Sequence, residues 1–380
     1  MAELYPVIPG TVVEDCIGYW GPNHTRYTSD TDSVLTVGQQ VDVLWQEGSY
    51  YYVRFTTGGV KKRSCFEAAC IQIPDGVTVT PHTPPAVPGC FRSITGNTKV
   101  YNILASDNPE DYEEQGDVPH IGSINYKETV RYLGLTIDGY ALVEYDIIDY
   151  DMVDDDDTDN INEGNDKRKR GWVDASKLGA MPNPTGTVYA STRGGIPVSQ
   201  QDANARFIYD YLRAYGFNHN SACGVLGNIF QECSMNPAKW QIIDNTDVPD
   251  ITYGYGIFQW DDATNYLRRA VTLGMIPLMT AAAIDNFVNA SDANKKALML
   301  SQIEFMLAGC FAGFQWGDPD EWDYAHHVPI EGEFTILDFM SSDMSAEDLA
   351  VVFCDYFERP LNPQMKVRSD KAGYYDDLFA

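Results

Sequence analysis

The stretch ARFIYDYLRAYGFNHNSACGVLGNIFQECSMNP, residues 205–237, contains two amphipathic runs separated by a single glycine. In each run apolar residues recur every three or four positions, which predicts two helices that bury one face in a core. We expect Ser199 with Asp202 to cap the first helix, Gly216 to end it, and Asn220 to cap the second. The same periodicity predicts helices over residues 294–308, 333–341, 345–358 and 366–379. The last half of the chain is therefore expected to be a mainly α domain.

Glu232 closes the second of these helices. The negative end of the helix macrodipole disfavours a carboxylate there, and the apolar neighbours Ile229 and Phe230 add desolvation. Both effects favour the protonated acid, which is the form that a general acid for glycoside cleavage needs. Glu232 is one of 55 acidic residues, so this argument alone carries little weight.

Glycines accompany Glu232 in a pattern that suits a cleft. Gly224 and Gly227 thin the helix before it, and Gly254 and Gly256 lie in the aromatic stretch YGYGIFQW, residues 253–260. Small residues let helices approach closely and let a sugar lie against the backbone. We expect the stretch YGYGIFQW to form a turn or a small hairpin.

The predicted substrate-binding residues lie in or near these segments. Gln259 could hydrogen-bond a sugar hydroxyl or acetamido group, and Tyr255 and Trp260 could stack on pyranose faces. For Trp260 a role as a core anchor is an equal alternative. Gly256 and Gln231 complete the predicted set.

Four pieces of the chain carry a resemblance to a known family. The region from about residue 204 to 375 resembles the phage tail lysozyme family, which is related to goose-type lysozymes and lytic transglycosylases. The pieces are residues 205–237, YGYGIFQW, QIEFMLAG and FERPLNP with the following Arg368, Ala372 and Tyr374-Tyr375. The resemblance implies that Glu232 is the catalytic acid and that Gln259 lies opposite it in the cleft. Cys233 stands where the family usually has serine, and DDATNYLRR after the Gln-Trp pair is more acidic than usual.

The first 179 residues show a different pattern. Polar and apolar residues alternate in VDVLWQEGSYYYVRF and again in VRYLGLTIDGYALVEY, so that Tyr50, Val53 and Phe55 align with Tyr140, Val143 and Tyr145. This repeat of about 90 residues predicts two small β-barrels. GWVDASKL resembles the closing motif of bacterial SH3-type domains, which implies a wall-binding or docking role.

The resulting fold class is a multidomain α+β chain, with two SH3-like β-barrels followed by a mainly α lysozyme-like domain. The predicted boundaries are 1–76 and 89–179 for the barrels, 77–88 and 180–198 for linkers, and 199–380 for the catalytic domain. The second barrel carries an acidic insert at 149–166. Its spacing does not fit an EF-hand, so we expect a solvated hairpin whose acidic arm faces the basic arm Lys167 to Arg170.

Composition excludes several classes of function. A formal net charge of −29 disfavours nucleic-acid binding. The sequence has no apolar run long enough to span a membrane, and the opening residues do not form a signal peptide. The eight cysteines form no CxxC pair, so we expect reduced thiols rather than a metal site, and no organic cofactor.

Several alternatives stay open. A second carboxylate could be Asp244, Asp261 or Asp262, and cleavage of the β-1,4 bond after N-acetylmuramic acid could occur by water attack or by the sugar 6-hydroxyl. A cysteine endopeptidase could use Cys223 with His326 or His327. A non-catalytic tail or wall-binding protein is a third class.

The expected protein is a peptidoglycan hydrolase of a bacteriophage. Its expected partner is bacterial peptidoglycan, with phage tail proteins or self-association as further possibilities. The expected location is the host cytoplasm before release to the wall, or the virion, and the sequence does not separate an endolysin from a tail lysin.

Overall fold

A computed structural model describes residues 5–22, 34–87, 89–102, 104, 121–146, 168–192, 194–241, 251–260, 263–311, 315–322, 324 and 327–380. The chain divides into two compact units, residues 1–180 and 181–380. The first is β-rich and the second is mainly helical, so the multidomain α+β class is confirmed. Among the described residues, no helix is both long enough and apolar enough to cross a membrane.

The first part of the N-terminal unit is an antiparallel sheet with an alternating buried face. Val41, Val43, Val53 and Phe55 are buried in its core, as their alternation predicts. The strands are β1 (Ile8–Val12), β2 (Cys16–Ile17), β3 (Val34–Leu35), β4 (Gln40–Glu47), β5 (Tyr50–Thr57), β6 (Val60–Glu67) and β7 (Ile71–Gln72). The sheet order is β6-β5-β4-β1-β7, and β2 pairs with β3 as a separate hairpin.

The second part repeats this topology. Its strands are β8 (Phe91–Ile94), β9 (Thr98–Val100), β10 (Gly122–Ile124), β11 (Thr129–Ile137), β12 (Tyr140–Asp146), β13 (Arg168–Asp174) and β14 (Leu178–Ala180). The order β13-β12-β11-β8-β14 matches the first sheet strand for strand, and β9 pairs with β10 as the second hairpin. Tyr50 and Tyr140 open equivalent strands, and the bridges Tyr19 to Cys65 and Tyr101 to Trp172 also correspond. The internal repeat is therefore visible in the structure, whereas closure of each sheet into an SH3 barrel stays a prediction.

The two sheets share a buried core. A cluster with members on both sheets includes Trp45 and Tyr52 of the first and Leu133, Leu142 and Trp172 of the second. Three charged side chains also link the two sheets, because Arg170 pairs with Glu47 and with Glu144. The division of this unit into separate domains at 1–76 and 89–179 stays a prediction.

The segments predicted as linkers are packed rather than free. In the first, Val79 is buried, and a backbone bridge joins Gln46 to Pro81. In the second, Val188 is buried, and the Asn204 side chain donates to and accepts from the backbone of Tyr189 at 2.7 and 2.8 Å. Proline content predicts a stiff segment, but it cannot show that these segments pack onto a core.

The acidic insert 149–166 lies outside the described residues, as does Lys167 of the basic arm. The two described side chains of that arm contact other partners. The Lys169 ammonium lies 5.4 Å from the centre of the Trp20 ring, and Arg170 pairs with Glu47 and Glu144. The expected pairing of this arm with the acidic insert concerns residues outside the described ones and stays a prediction.

The C-terminal unit contains the predicted helices and two that the periodicity missed. The missed helices are α3 and α4, which are short and follow a glycine-rich or turn-rich stretch. The helices are α1 (Val198–Tyr215), α2 (His219–Cys233), α3 (Thr264–Thr272), α4 (Ala281–Ala290), α5 (Asp292–Phe311), α6 (Ile336–Ser341), α7 (Ala346–Phe353) and α8 (Met365–Phe379). A π-helical turn, Cys354–Glu358, continues α7.

The helix ends test the capping predictions. Gly216 ends α1 in the left-handed conformation, φ 119°, as predicted. The predicted N-caps are wrong: α1 starts after Pro197 with no side-chain cap, and Asn218, not Asn220, caps α2 by accepting from the Ser221 amide. Two asparagines two residues apart give the same signal, and packing selects between them.

Candidate functional site

Glu232 lies in the last turn of α2, where the helix ends at Cys233 and Ser234 takes the left-handed conformation. Its side chain is 19% exposed, so the carboxylate is at the surface of the core rather than within it. The buried face of the helix is held in the C-terminal unit, and the end of the helix presents Glu232 to solvent.

Arg368 of α8 is the direct partner of Glu232. Its Nη2 donates to Glu232 Oε1, its Nη1 donates to Asn228 Oδ1 at 2.8 Å, and its Nε donates to the Pro363 carbonyl at 2.7 Å. The side chain of Arg368 is only 1% exposed. A guanidinium fixed on three acceptors holds the Glu232 carboxylate in one orientation.

Two glycines of α2 allow this contact. A Cβ at Gly227 would lie 2.3 Å from the Arg368 carbonyl oxygen, and one at Gly224 would lie 3.0 Å from backbone atoms of Leu349. The prediction that these glycines permit close helix approach is confirmed, and the helices that approach are α7 and α8. Asn228 fixes α7 as well, because its Nδ2 donates to the Ala350 carbonyl at 2.8 Å.

Glu358, at the end of the π-helical turn, is a second carboxyl group in the same place. Its Oε1 is buried and has no hydrogen-bond partner among the described residues. Burial, and then the negative charge of Glu232, raises the pKa of Glu358 well above its ordinary value, while Arg368 and Arg359 oppose the shift. The raised pKa favours the protonated form of Glu358, next to the ion pair that Glu232 and Arg368 form.

This arrangement differs from the one expected at Glu232. The sequence suggested apolar neighbours that favour a protonated acid, and Ile229 is indeed buried in α2. The atom that touches the carboxylate, however, is a guanidinium nitrogen of Arg368. The carboxyl group whose pKa is raised by desolvation is Glu358 instead.

Gln259 is tied to the end of α2 through Lys239. Its Nε2 donates to the carbonyls of Lys239 and Gly256, each at 2.9 Å, and the Lys239 Nζ donates to the Glu232 carbonyl at 2.8 Å. The segment containing Gln259 is a turn with two isolated bridges, Trp240 to Tyr255 and Tyr255 to Trp260, as expected. The structure thus joins Gln259 and Glu232 through one shared residue.

Three other predicted substrate-binding residues are core residues in this structure. Tyr255 is fully buried, and Trp260 is 8% exposed and stacks on Tyr266 with ring centres 5.0 Å apart. A Cβ at Gly256 would lie 2.6 Å from the side chain of Gln302, so this glycine serves close packing. Rings buried in this way offer no face to a sugar, and the alternative of a core anchor fits Trp260.

Residues 203–379 match the family model for phage tail lysozyme. Morphogenesis protein 1 of Bacillus phage B103 is 28% identical over 188 residues, which cover 50% of this chain and 42% of that protein. The match thus spans less than half the length of this relative. A solved structure of NlpC2 from Trichomonas vaginalis aligns with 61% of this chain and 57% of its own, at 9% identity and a TM-score of 0.16, too low to inform the fold.

Within the region that this family model matches, the cysteine endopeptidase alternative would need an accessible thiol, and Cys223 does not provide one. Cys223 is fully buried, and burial raises the pKa of its thiol to about 12. His326 lies outside the described residues, and His327 hydrogen-bonds Asp355 at 2.8 Å. A buried thiol with a raised pKa is a poor nucleophile.

The remaining predicted residues are not brought into the cluster. Gln231 is half-buried in the same turn as Glu232, and Asp244, Asp261 and Asp262 lie outside the described residues. The residues that sequence analysis missed as a site are Asn228, Glu358 and Arg368. A local signal could have identified Asn228, because Asn228 and Glu232 are four residues apart and therefore lie on one face of the helix, among mainly apolar residues.

Proposed function

We propose that the C-terminal unit cleaves the β-1,4 bond after N-acetylmuramic acid in bacterial peptidoglycan, with Glu232 as the general acid. The observation that carries this proposal is a partly exposed carboxylate at a helix end that is oriented by a buried arginine and accompanied by a second carboxyl group whose pKa is raised. The match of residues 203–379 to phage tail lysozyme supports the same assignment.

The two carboxyl groups then act as a coupled pair. The negative charge of Glu232 is, after burial, the second cause that raises the pKa of Glu358. Glu358 supplies a proton to the Glu232 carboxylate, and Glu232, the more accessible member, delivers it to the glycosidic oxygen. Arg368 keeps Glu232 pointed outward, and Gln259 holds the facing segment through Lys239.

The N-terminal unit serves in this proposal to dock the enzyme on the wall. The support is the repeated strand order with a 3-10 turn, Ala68–Cys70 or Ala175–Lys177, before each last strand, together with the SH3-type motif GWVDASKL. The protein would act as a phage lysin, either released through the host membrane or carried on the virion.

Product chemistry tests the reaction class. Purified peptidoglycan digested by the full chain and by Cys223→Ala should release disaccharide-peptides with a reducing muramic end in both cases, as measured by mass spectrometry. Fragments lighter by one water would make the enzyme a lytic transglycosylase, in which the sugar 6-hydroxyl replaces water. Free peptides with intact glycan strands, lost in Cys223→Ala, would refute the glycosidase.

Glu358→Gln should lower activity and raise stability at the same time. An amide cannot hold the proton that Glu232 delivers, so the rate should fall at least about tenfold. In the wild type the raised pKa of Glu358 stabilises the fold fully below the ordinary carboxyl pKa, and this stability is lost as pH rises towards the folded pKa. The free energy of unfolding of Glu358→Gln should therefore exceed that of the wild type by more at each higher pH, by about 1.4 kcal/mol per pH unit across that window, and the melting temperature should rise with it.

The control for this variant is Glu333→Gln, because Glu333 is exposed. It should leave both the rate and the pH dependence of melting unchanged. Parallel melting curves for wild type and Glu358→Gln would show that Glu358 does not hold a proton in the fold.

A further inference from the structure

A second group of polar side chains lies at the opposite end of α2 from Glu232. His219 and Cys223 are four residues apart on α2, and Asp376 comes from the last turn of α8. One ligand-type atom from each of the three lies within 4.8 Å of the others. His219 is 13 residues before Glu232, which places it about 20 Å away along the helix.

Both ring nitrogens of His219 have a hydrogen-bond partner, an arrangement that suits a metal ligand. Its Nε2 lies 2.7 Å from Asp376 Oδ1, and its Nδ1 lies 2.7 Å from the Tyr209 hydroxyl. Histidines that bind metals usually hold the second ring nitrogen on a hydrogen-bond partner, which fixes the ring and its tautomer. Tyr209, on α1, is in the position of that partner.

The burial of Cys223 distinguishes two possible roles of these three residues, a nucleophilic triad and a metal site. Cysteine, histidine and aspartate also form nucleophilic triads, but a nucleophile needs an exposed thiolate. The Cys223 thiol is buried, and its pKa is raised to about 12 by desolvation and then by Asp376. A metal ion removes this obstacle because it displaces the thiol proton itself. His219 and Asp376 are partly exposed, at 28% and 40%, so an ion can enter from their side.

We propose that His219, Cys223 and Asp376 bind one Zn²⁺ ion through Nε2, Sγ and Oδ1. Nitrogen, thiolate and carboxylate are all zinc ligands, and a water molecule on the exposed side completes a tetrahedron. Binding releases the thiol proton to solvent. The ion takes the place of the proton between His219 Nε2 and Asp376, and that proton moves to His219 Nδ1, which then donates to the Tyr209 hydroxyl. The site joins the start of α2 to the end of α8, so its role is to stabilise the C-terminal unit. The ligands are spread over 157 residues, which is why a search for paired cysteines does not find them.

Cobalt titration of the chelator-treated full chain tests the site. We expect one Co²⁺ per chain with a near-ultraviolet thiolate charge-transfer band. The band should be absent in Cys223→Ala, and the affinity should fall at least about tenfold in His219→Gln and Asp376→Asn and about 10- to 100-fold in Tyr209→Phe. His327→Gln is the matched control, since His327 also pairs with an aspartate but has no cysteine in the pair. Cys90→Ala is the control for thiol loss.

Thermal melting gives a second readout that does not depend on wall cleavage. Zn²⁺ at about 100 times its dissociation constant should raise the melting temperature of the C-terminal unit by on the order of 5 °C. Asp376→Asn and His219→Gln, which alter partly exposed side chains, should lose this increase. Cobalt binding without a charge-transfer band, an unchanged band in Cys223→Ala, or alkylation of Cys223 by iodoacetamide in the folded protein would each overturn the proposal.

Discussion

Glu232→Gln is expected to slow the solubilisation of peptidoglycan by about 100-fold or more, the range that loss of a general acid produces. The amide has the shape of the carboxyl group and still accepts a hydrogen bond from Arg368, but it has no proton to give to the leaving oxygen. The measurement is the release of soluble reducing ends from purified walls, followed over a range of enzyme concentrations so that slow residual cleavage is visible.

The stability of Glu232→Gln must be measured together with its rate of peptidoglycan solubilisation. Neutralising Glu232 leaves the buried guanidinium of Arg368 with only neutral acceptors, Asn228 and Pro363, so some loss of stability is expected. A melting transition that remains well above the assay temperature shows that the lost rate is chemical. Glu333→Gln should cleave at the wild-type rate, and a wild-type rate in Glu232→Gln itself would remove Glu232 from the mechanism.

The double variant Glu232→Gln, Glu358→Gln separates a coupled pair from two independent contributions. If the two carboxyl groups act as one proton-delivering unit, the double variant should be no slower than Glu232→Gln alone, because effects within a unit are not additive. If the rate of the double variant falls by the product of the two single-variant losses, Glu358 acts through a different step.

Sequence periodicity correctly placed Glu232 at the end of its helix because that prediction needs only local information. The apolar face of α2, the glycines at positions 224 and 227 and the end of the helix all follow from residues within one turn or two of each other. The resemblance of four ordered pieces to phage tail lysozyme supplied the chemistry. Local information also explains why Gly216 was predicted correctly as the end of α1.

The rest of the site depends on contacts that no local pattern contains. Arg368 meets Glu232 across 136 residues, and the carboxyl group of Glu358 becomes perturbed only because α7, its π-helical turn and α8 close around it. The aromatic stretch before α3 shows that residue types alone can also suggest a binding role that the packing does not support. Tyr255 and Trp260 have the residue types of a sugar platform, but the same types fill a core, and only the packing on Tyr266 and Phe305 decides between them.

Arg170→Met is expected to destabilise the N-terminal unit by about 3–5 kcal/mol, the cost of removing one partner from a buried ion pair. Arg170 of β13 donates to Glu144 of β12 at 2.8 Å and to Glu47 of β4, in the other sheet, at 3.0 Å. The Arg170 side chain is only 3% exposed. Methionine fills much of the volume but leaves two buried carboxylates whose mutual repulsion has no cation between them, apart from Arg131 beside Glu144. Calorimetry of the full chain, with the transition of the helical unit as internal reference, measures the loss.

A triple variant shows what the charges contribute beyond stability. Glu47→Leu with Glu144→Leu in the Arg170→Met background removes the two carboxylates that have lost Arg170, so most of the lost stability should return. No recovery would mean that Arg170 acts through its packing on Cys65 and its neighbours rather than through charge.

If the single variant Arg170→Met lowers the melting of both sheets in one transition, the two repeats form one cooperative body through Glu47, Arg170 and Glu144. Two repeats fixed in this way would engage the proposed wall surface as one rigid patch, and the gain in avidity expected from two flexibly linked modules would not apply.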